Sequence, residues 1–188
     1  VRPGSRTLGI AFSDGDATSC LAGAVVRTDG TLDGLGFDAC TVGGRDATDA
    51  VIRCFRALDR EDVRRVCCAG VAPAWFNLLD LGRIHEALDR PVLVVSYEES
   101  PGLEPALHEA FEGDALEARL ATYRALPPRR AVDRDGDAEP LFVRAVGMAD
   151  GDDPAAVVRT LTREGFRRPE PVRIASIATS AHRAALEG

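Results

Sequence analysis

The chain has 188 residues, 45% of them hydrophobic and 28% charged, which suffices for one buried core, so a single globular unit over residues 1–188 is expected. Its 23 basic and 30 acidic residues leave a formal charge of −7 and a pI near 5.0, which excludes a global field that draws it to nucleic acid and leaves only local patches. No apolar run reaches the roughly 20 residues of a membrane span, and Val1-Arg2-Pro3-Gly4 lacks the apolar core of a signal peptide, so a cytoplasmic protein without membrane contact is expected.

Thr7 to Phe12 (TLGIAF) is apolar and ends in the polar turn Ser13-Asp14-Gly15-Asp16, which predicts a first strand. Cys20 to Thr28 and Thr31 to Thr41 read as the next strands, joined at Asp29-Gly30. A two-residue turn there pairs Cys20 with Ala39 and sets Leu35 and Phe37 opposite Ala24 and Ala22, large against small, with room for a helix on that face. In that register Cys20 and Cys40 point to opposite faces. Cys67 and Cys68, adjacent on a later strand, do the same. With five cysteines and no CxxC spacing, the thiols read as small buried apolar residues, not as a zinc ribbon or a disulfide framework.

Gly43-Gly44 closes this segment, and Asp46-Ala47-Thr48-Asp49 opens a helix with Asp46 as N-cap and an apolar stripe at Ala47, Val51, Phe55 and Leu58. Val66 to Val71 is a short apolar run, broken by Ala72-Pro73 and followed by a helical segment from about Phe76. That order suits a parallel strand feeding a crossover, whose carboxyl end is where open α/β sheets bind ligands. Gly70 to Asp80 is therefore the first place to look for a site. Pro91 to Tyr97 is a second buried strand, ending in Glu98-Glu99-Ser100-Pro101-Gly102. Three antiparallel strands, a helix and then parallel strands with helical crossovers give the order of a ribonuclease H-like mixed α/β sheet flanked by helices.

Pro105 to Leu126 reads as helical with a break at Gly113-Asp114 and a stop at Pro127-Pro128, and Ala131 to Pro140 as a polar hairpin or mobile loop. Leu141 to Val146 reads as a strand, Pro154 to Thr162 as a helix with proline in its first turn, Arg167 to Pro171 as a linker and Val172 to Leu186 as a final helix. His85, His108 and His182 fall in predicted helices without HExxH spacing, and neither a Gly-x-Ser-x-Gly turn nor a Walker or dinucleotide fingerprint is present. Zincin, α/β-hydrolase and nucleotide-cofactor chemistry are not expected.

Ala69-Gly70-Val71 followed by Phe76-Asn77-Leu78-Leu79-Asp80 resembles the Asp-Gly-Ile, short loop, Phe-Asn-Val-x-Asp segment of a largely archaeal family, domain of unknown function 99, which is related to endonuclease V. Leu8-Gly9-Ile10-Ala11 resembles the first-strand motif of these families. Val42-Gly43-Gly44-Arg45-Asp46-Ala47-Thr48 resembles the archaeal segment ahead of the first helix, and Pro169-Glu170-Pro171-Val172-Arg173-Ile174-Ala175 the Pro-Glu-Pro-x-Arg-x-Ala run that opens the last one. No single motif is specific; the ordered set, spanning nearly the whole chain, is.

The resemblance implies an endonuclease V-type fold and, in the relatives, phosphodiester cleavage in which carboxylates hold magnesium and the metal activates water. The family aspartates of the first and central strands stand here as Ala11 and Ala69, and Met148 follows Gly147 where endonuclease V places a histidine or acid. An eroded metal site follows, with no catalytic residue, metal or cofactor assigned. Asp14, Asp46 and Glu98 are the replacement carboxylates that a relocated, magnesium- or manganese-dependent nuclease site would use.

In the same relatives the loop after the central strand helps bind an extruded nucleotide. Trp75 and Phe76 would stack its base and Asn77 would read its edge, near Asp80, while Arg129, Arg130 and Arg173 would hold the backbone. The plain alternatives are Phe76 as core, Trp75 as its cover, Asn77 as cap of the next helix, and the arginines as solvated surface. The reading favoured is binding of single-stranded or inosine-containing nucleic acid, or of a modified nucleoside, without efficient cleavage. The alternatives are an active endonuclease on relocated carboxylates and a non-catalytic scaffold for a protein partner.

Overall fold

The structure, a computed structural model, describes residues 1–133 and 140–187. It opens with three long strands, β1 (Arg6–Asp14), β2 (Thr18–Arg27) and β3 (Leu32–Thr41), paired antiparallel in succession. The expected Cys20–Ala39, Ala22–Phe37 and Ala24–Leu35 pairs all form. The turn differs: Arg27 N donates to Thr31 O, so the loop is one residue longer than expected, and the slip is taken back by a bulge at Asp33. The bulged carboxylate accepts from Arg6 Nε and Arg27 Nε, each at 2.6 Å.

Helix α1 (Ala47–Leu58) leads to β4 (Val63–Ala69), which runs parallel to β1. A single turn, α2 (Pro73–Phe76), and α3 (Leu81–Leu88) lead to β5 (Val92–Ser96), parallel to β4. The expected ribonuclease H-like order is thus present. The helix expected from Phe76 is not: Ala74, Trp75 and Phe76 have φ of 50°, 52° and 60°, the left-handed region, and regular helix resumes only at Leu81.

Beyond β5 come α4 (Glu104–Ala110), α5 (Gly113–Arg124), β6 (Arg130–Ala131), β7 (Phe142–Val146), α6 (Pro154–Leu161) and α7 (Glu170–Glu187). The helical break falls at Phe111-Glu112, one step before the predicted Gly113, which instead opens α5. Of the Ala131 to Pro140 loop, residues 134–139 lie outside the described residues; at its base Val132 N donates to Leu141 O. Strand β7 is antiparallel to β5, and the sheet order is β3-β2-β1-β4-β5-β7-β6.

Strand alternation sorts the core into two layers. Leu8, Ile10, Cys68 and Val94 pack with Val51 of α1 and Ile84 of α3, while Cys67, Leu93 and Val95 pack with Val158 of α6 and Val172 of α7. The helix foreseen opposite Ala22 and Ala24 is α7: Ala11 and Ala24 pack on Ala175, and Phe37 stacks on His182 at 4.3 Å. Gly9 permits this approach, because a Cβ there would lie 2.1 Å from the Pro171 carbonyl. The five cysteines are buried and free. No helix among the described residues is long and apolar enough to cross a membrane.

Candidate nucleic-acid interface

Parallel pairing of β1 and β4 brings Ala11 and Ala69 together beneath α7. Ala11 is 2% exposed in a cluster with Ala24, Val26 and Ala175, and Ala69 packs against the same cluster. Methyl groups supply no oxygen to a hard cation. Met148 does not share this place. Because β7 is antiparallel to β5, with Val146 opposite Val92, Gly147-Met148 sits at the amino end of β5, far along the strand from Ala69, and the expectation that it marks a third position of one site is corrected.

Two of the replacement carboxylates are engaged by hydrogen bonds, and the third stands apart from them. Asp14 accepts from Ser19 Oγ at 2.6 Å across the β1–β2 pair. Asp46 stands at the start of α1 but does not cap it. Its oxygens accept from Thr41 N at 3.0 and 3.2 Å, Thr41 Oγ1 at 2.9 Å and Asn77 Nδ2 at 2.8 Å. Burial pushes the Asp46 carboxyl up, but the hydrogen bonds from Asn77 and Thr41 outweigh it and hold the group below its ordinary value. Glu98 lies beyond β5, exposed on the rim of a cavity. Among the described residues, no three His, Cys, Asp or Glu side chains are grouped so that they could share a metal.

Asn77 is the residue whose expected role changes most. It is 0% exposed; Ala47 N donates to its Oδ1 at 2.9 Å, and its Nδ2 donates to Thr41 O at 2.9 Å as well as to Asp46. It therefore caps α1 from 30 residues away, leaves no edge for a base, and does not cap α3. Asp80 does that, accepting from Arg83 N at 2.9 Å.

Trp75 stands outside this strut, 53% exposed. Its ring lies 5.1 Å from Phe111 and 5.8 Å from Phe76, and Phe76 packs against Leu78, Leu107 and Leu120. Gly43, at φ +72°, makes room for the indole: a Cβ there would come 2.8 Å from it. Arg119 of α5 holds both loops, and nothing in the sequence singled it out. It is 5% exposed, donates to Phe76 O at 3.1 Å, Ala115 O at 3.0 Å, Gly43 O at 2.6 Å and Gly44 O at 3.1 Å, and lies 3.8 Å over the Phe111 ring. Burial, followed by the like charge of Arg45, pushes its guanidinium below the ordinary value.

A cavity of about 450 Å³ opens beside the carboxyl end of β5, on the face that carries α3 and α5. Val71 and Ala72, which lead into the Trp75 loop, form one wall, and Ser96, Glu98, Tyr123, Arg129 and Arg144 supply its polar groups. Arg129 donates to Glu98 O and Ser100 O at 3.0 and 3.1 Å and lies over the Phe142 ring; Arg144 donates to Pro127 O. The signal missed here was Arg144 itself, a charge in the middle of the otherwise apolar run Leu141 to Val146.

The three arginines expected to form one patch do not. Arg130 pairs with Val143 and so points to the α6 side of the sheet, and Arg173, on α7, is paired with Glu170 at 2.7 Å and lies over Phe166. Arg129 alone borders the cavity.

The endonuclease dU family model matches residues 3–183. A UPF0215 protein of Thermococcus kodakarensis is 34% identical over 194 residues, covering 96% of this chain and 93% of its own. A crystal structure of a protein of unknown function from Archaeoglobus fulgidus superposes with a TM-score of 0.78 at 25% identity, covering 94% of this chain and 97% of that one. The endonuclease V of Ciona intestinalis, solved with DNA containing an inosine, has a TM-score of 0.64 at 10% identity, covers 97% of this chain and 87% of that one, and shows a shared fold. This ribonuclease H-like chain belongs to the endonuclease dU family.

Proposed function

We propose that the protein binds single-stranded nucleic acid carrying a deaminated base and does not cleave it efficiently. The observation that carries this reading is Trp75. A large aromatic, 53% exposed, is held outward on consecutive left-handed residues and braced by Phe111, Gly43 and Arg119. Left-handed non-glycine backbone costs of order 1–2 kcal/mol per residue, which fits a surface presented to a ligand better than a cover for the core. The adjoining cavity is of a size to take an unstacked base, with Ser96, Glu98 and Arg129 to bond its edge. The family name, endonuclease dU, and the inosine DNA held by the Ciona protein support a deaminated base as the feature recognised.

Metal-assisted hydrolysis needs oxygen ligands around a cation that keeps open positions for water and phosphate. Ala11 and Ala69 contribute none, and Asp46 is bound up with Thr41 and Asn77, so the residues present do not fit the magnesium that the fold family implies. Binding without cleavage is the reading that this donor set supports.

Trp75 is the sole tryptophan, so its fluorescence reports binding directly. Strands containing deoxyuridine or deoxyinosine are expected to quench it and to bind about tenfold more tightly than a thymidine strand. Equal affinities, or an affinity unchanged in Trp75→Ala by fluorescence anisotropy of labelled strands, would overturn the binding reading. Magnesium- or manganese-dependent nicking of the deoxyuridine strand would overturn the claim that cleavage is lost.

A further inference from the structure

We infer that Arg45 and Arg119 form a subsite for one backbone phosphate of the bound strand, next to Trp75; this rests on the nucleic-acid reading above. Arg119 is a buried cation whose hydrogen-bond partners are all carbonyl oxygens: those of Phe76, Ala115, Gly43 and Gly44. These carbonyls occupy four of its five N–H groups and leave its charge without a counter-ion. Buried guanidinium groups are ordinarily matched by an acid, because an uncompensated buried charge is costly.

The neighbour supplied is instead a second arginine. Arg45 is exposed, makes no hydrogen bond or ion pair among the described residues, and bears on Arg119 with like charge. Two cations are thus set side by side where an anion would settle both.

The place is also shaped for a strand. Arg45 and Arg119 together line an open groove of about 450 Å³ with Gly43, Gly44 and Phe111, and Asp114 at its margin is the one acid among its lining residues. Gly43 and Phe111 are the groups against which the Trp75 ring rests. A base stacked on Trp75 therefore has its own backbone over this groove. A phosphodiester, with strong acceptor oxygens and one negative charge, suits the fork of Arg45 beside the one remaining N–H and the uncompensated charge of Arg119 better than a neutral group does.

The test uses Arg45→Ala, a change at an exposed side chain with no bonds to lose, and measures anisotropy with labelled single strands over a range of salt. Affinity is expected to fall about tenfold for deoxyuridine and thymidine strands alike. The slope of log K against log salt is expected to shrink by about 0.7, the value for one phosphate on a single strand. A strand with one neutral methylphosphonate linkage beside the modified base should lose the same factor with the native protein and nothing further with the variant. Where the native protein binds, affinity and slope unchanged in Arg45→Ala, or a loss confined to the deoxyuridine strand, would overturn the subsite alone. A native protein that binds no strand would overturn the reading on which it rests.

Discussion

Replacing Asn77 with alanine removes the side-chain acceptor of Ala47 N, at 2.9 Å and with no solvent to substitute for it, and one donor each to Thr41 O and Asp46 Oδ1, at 2.9 and 2.8 Å, which keep Gly44 N and Thr41 N as partners. The one buried N–H left unpaired costs about 1–3 kcal/mol and each of the two lost shared bonds about 0.5–1, so a loss of about 3 kcal/mol is expected. That is a large part of the roughly 5–15 kcal/mol that holds a domain together. Urea unfolding followed by far-ultraviolet dichroism and by Trp75 fluorescence measures it.

Asn77→Asp adds a sign to the test. The new carboxyl would face Asp46 across the present 2.8 Å contact, and like charges so close cannot both ionise. Its folded pKa therefore rises above the unfolded value of about 3.9, so its contribution is fully present below that pH and is lost as pH climbs through the raised value. Should Asn77→Ala cost less than about 1 kcal/mol while weakening discrimination of the modified strand, Asn77 reads the base and the strut assigned to it is refuted.

Asp33 gives a prediction of opposite sign. Hydrogen bonds from Arg27 and then Arg6, working against desolvation, hold its carboxyl at about 2 against an ordinary 3.8, so the stability it confers is present above about pH 4 and drains away as pH falls toward about 2. Thermal melts across that window should fall for the native protein more steeply than for Asp33→Asn; parallel curves would sink the assignment. Gly9→Ala would drive a methyl carbon to within 2.1 Å of the Pro171 carbonyl, forcing α7 off the sheet, with an expected loss of about 3 kcal/mol; a melting temperature within a degree of native would show that the helix yields freely.

The sheet was largely legible because its information is local. Alternation in Thr7 to Phe12 and the Asp29-Gly30 turn suffice for strands and pairing, and the pairing from Cys20 to Val25 survives even though the turn has another form. What could not be read depends on contacts between remote residues or on strand direction. Asn77 looks like a cap for the helix that follows, yet its partners lie 30 to 36 residues back along the chain. Met148 falls at the amino end of β5 only because β7 runs antiparallel, which no pattern in Leu141 to Val146 encodes. Arg129 and Arg130 are neighbours in sequence and point apart in space. The left-handed run at Trp75 carries no glycine or asparagine at those positions to announce it, and Arg119, the residue that braces it, sits in a helix of mixed polarity that gives no hint of which side is inward.

One consequence follows from the bulge at Asp33. A short turn with straight strands and a longer loop with one residue bulged out use the same number of amino acids and leave everything from Val25 inward unaltered, so the tip of this hairpin has two pairings of equal length to choose between. What selects one is the grip of Arg6 and Arg27 on a single carboxylate. Neutralise that side chain, and the end of the ribbon becomes free to slide by one notch while the rest of the sheet keeps its alignment.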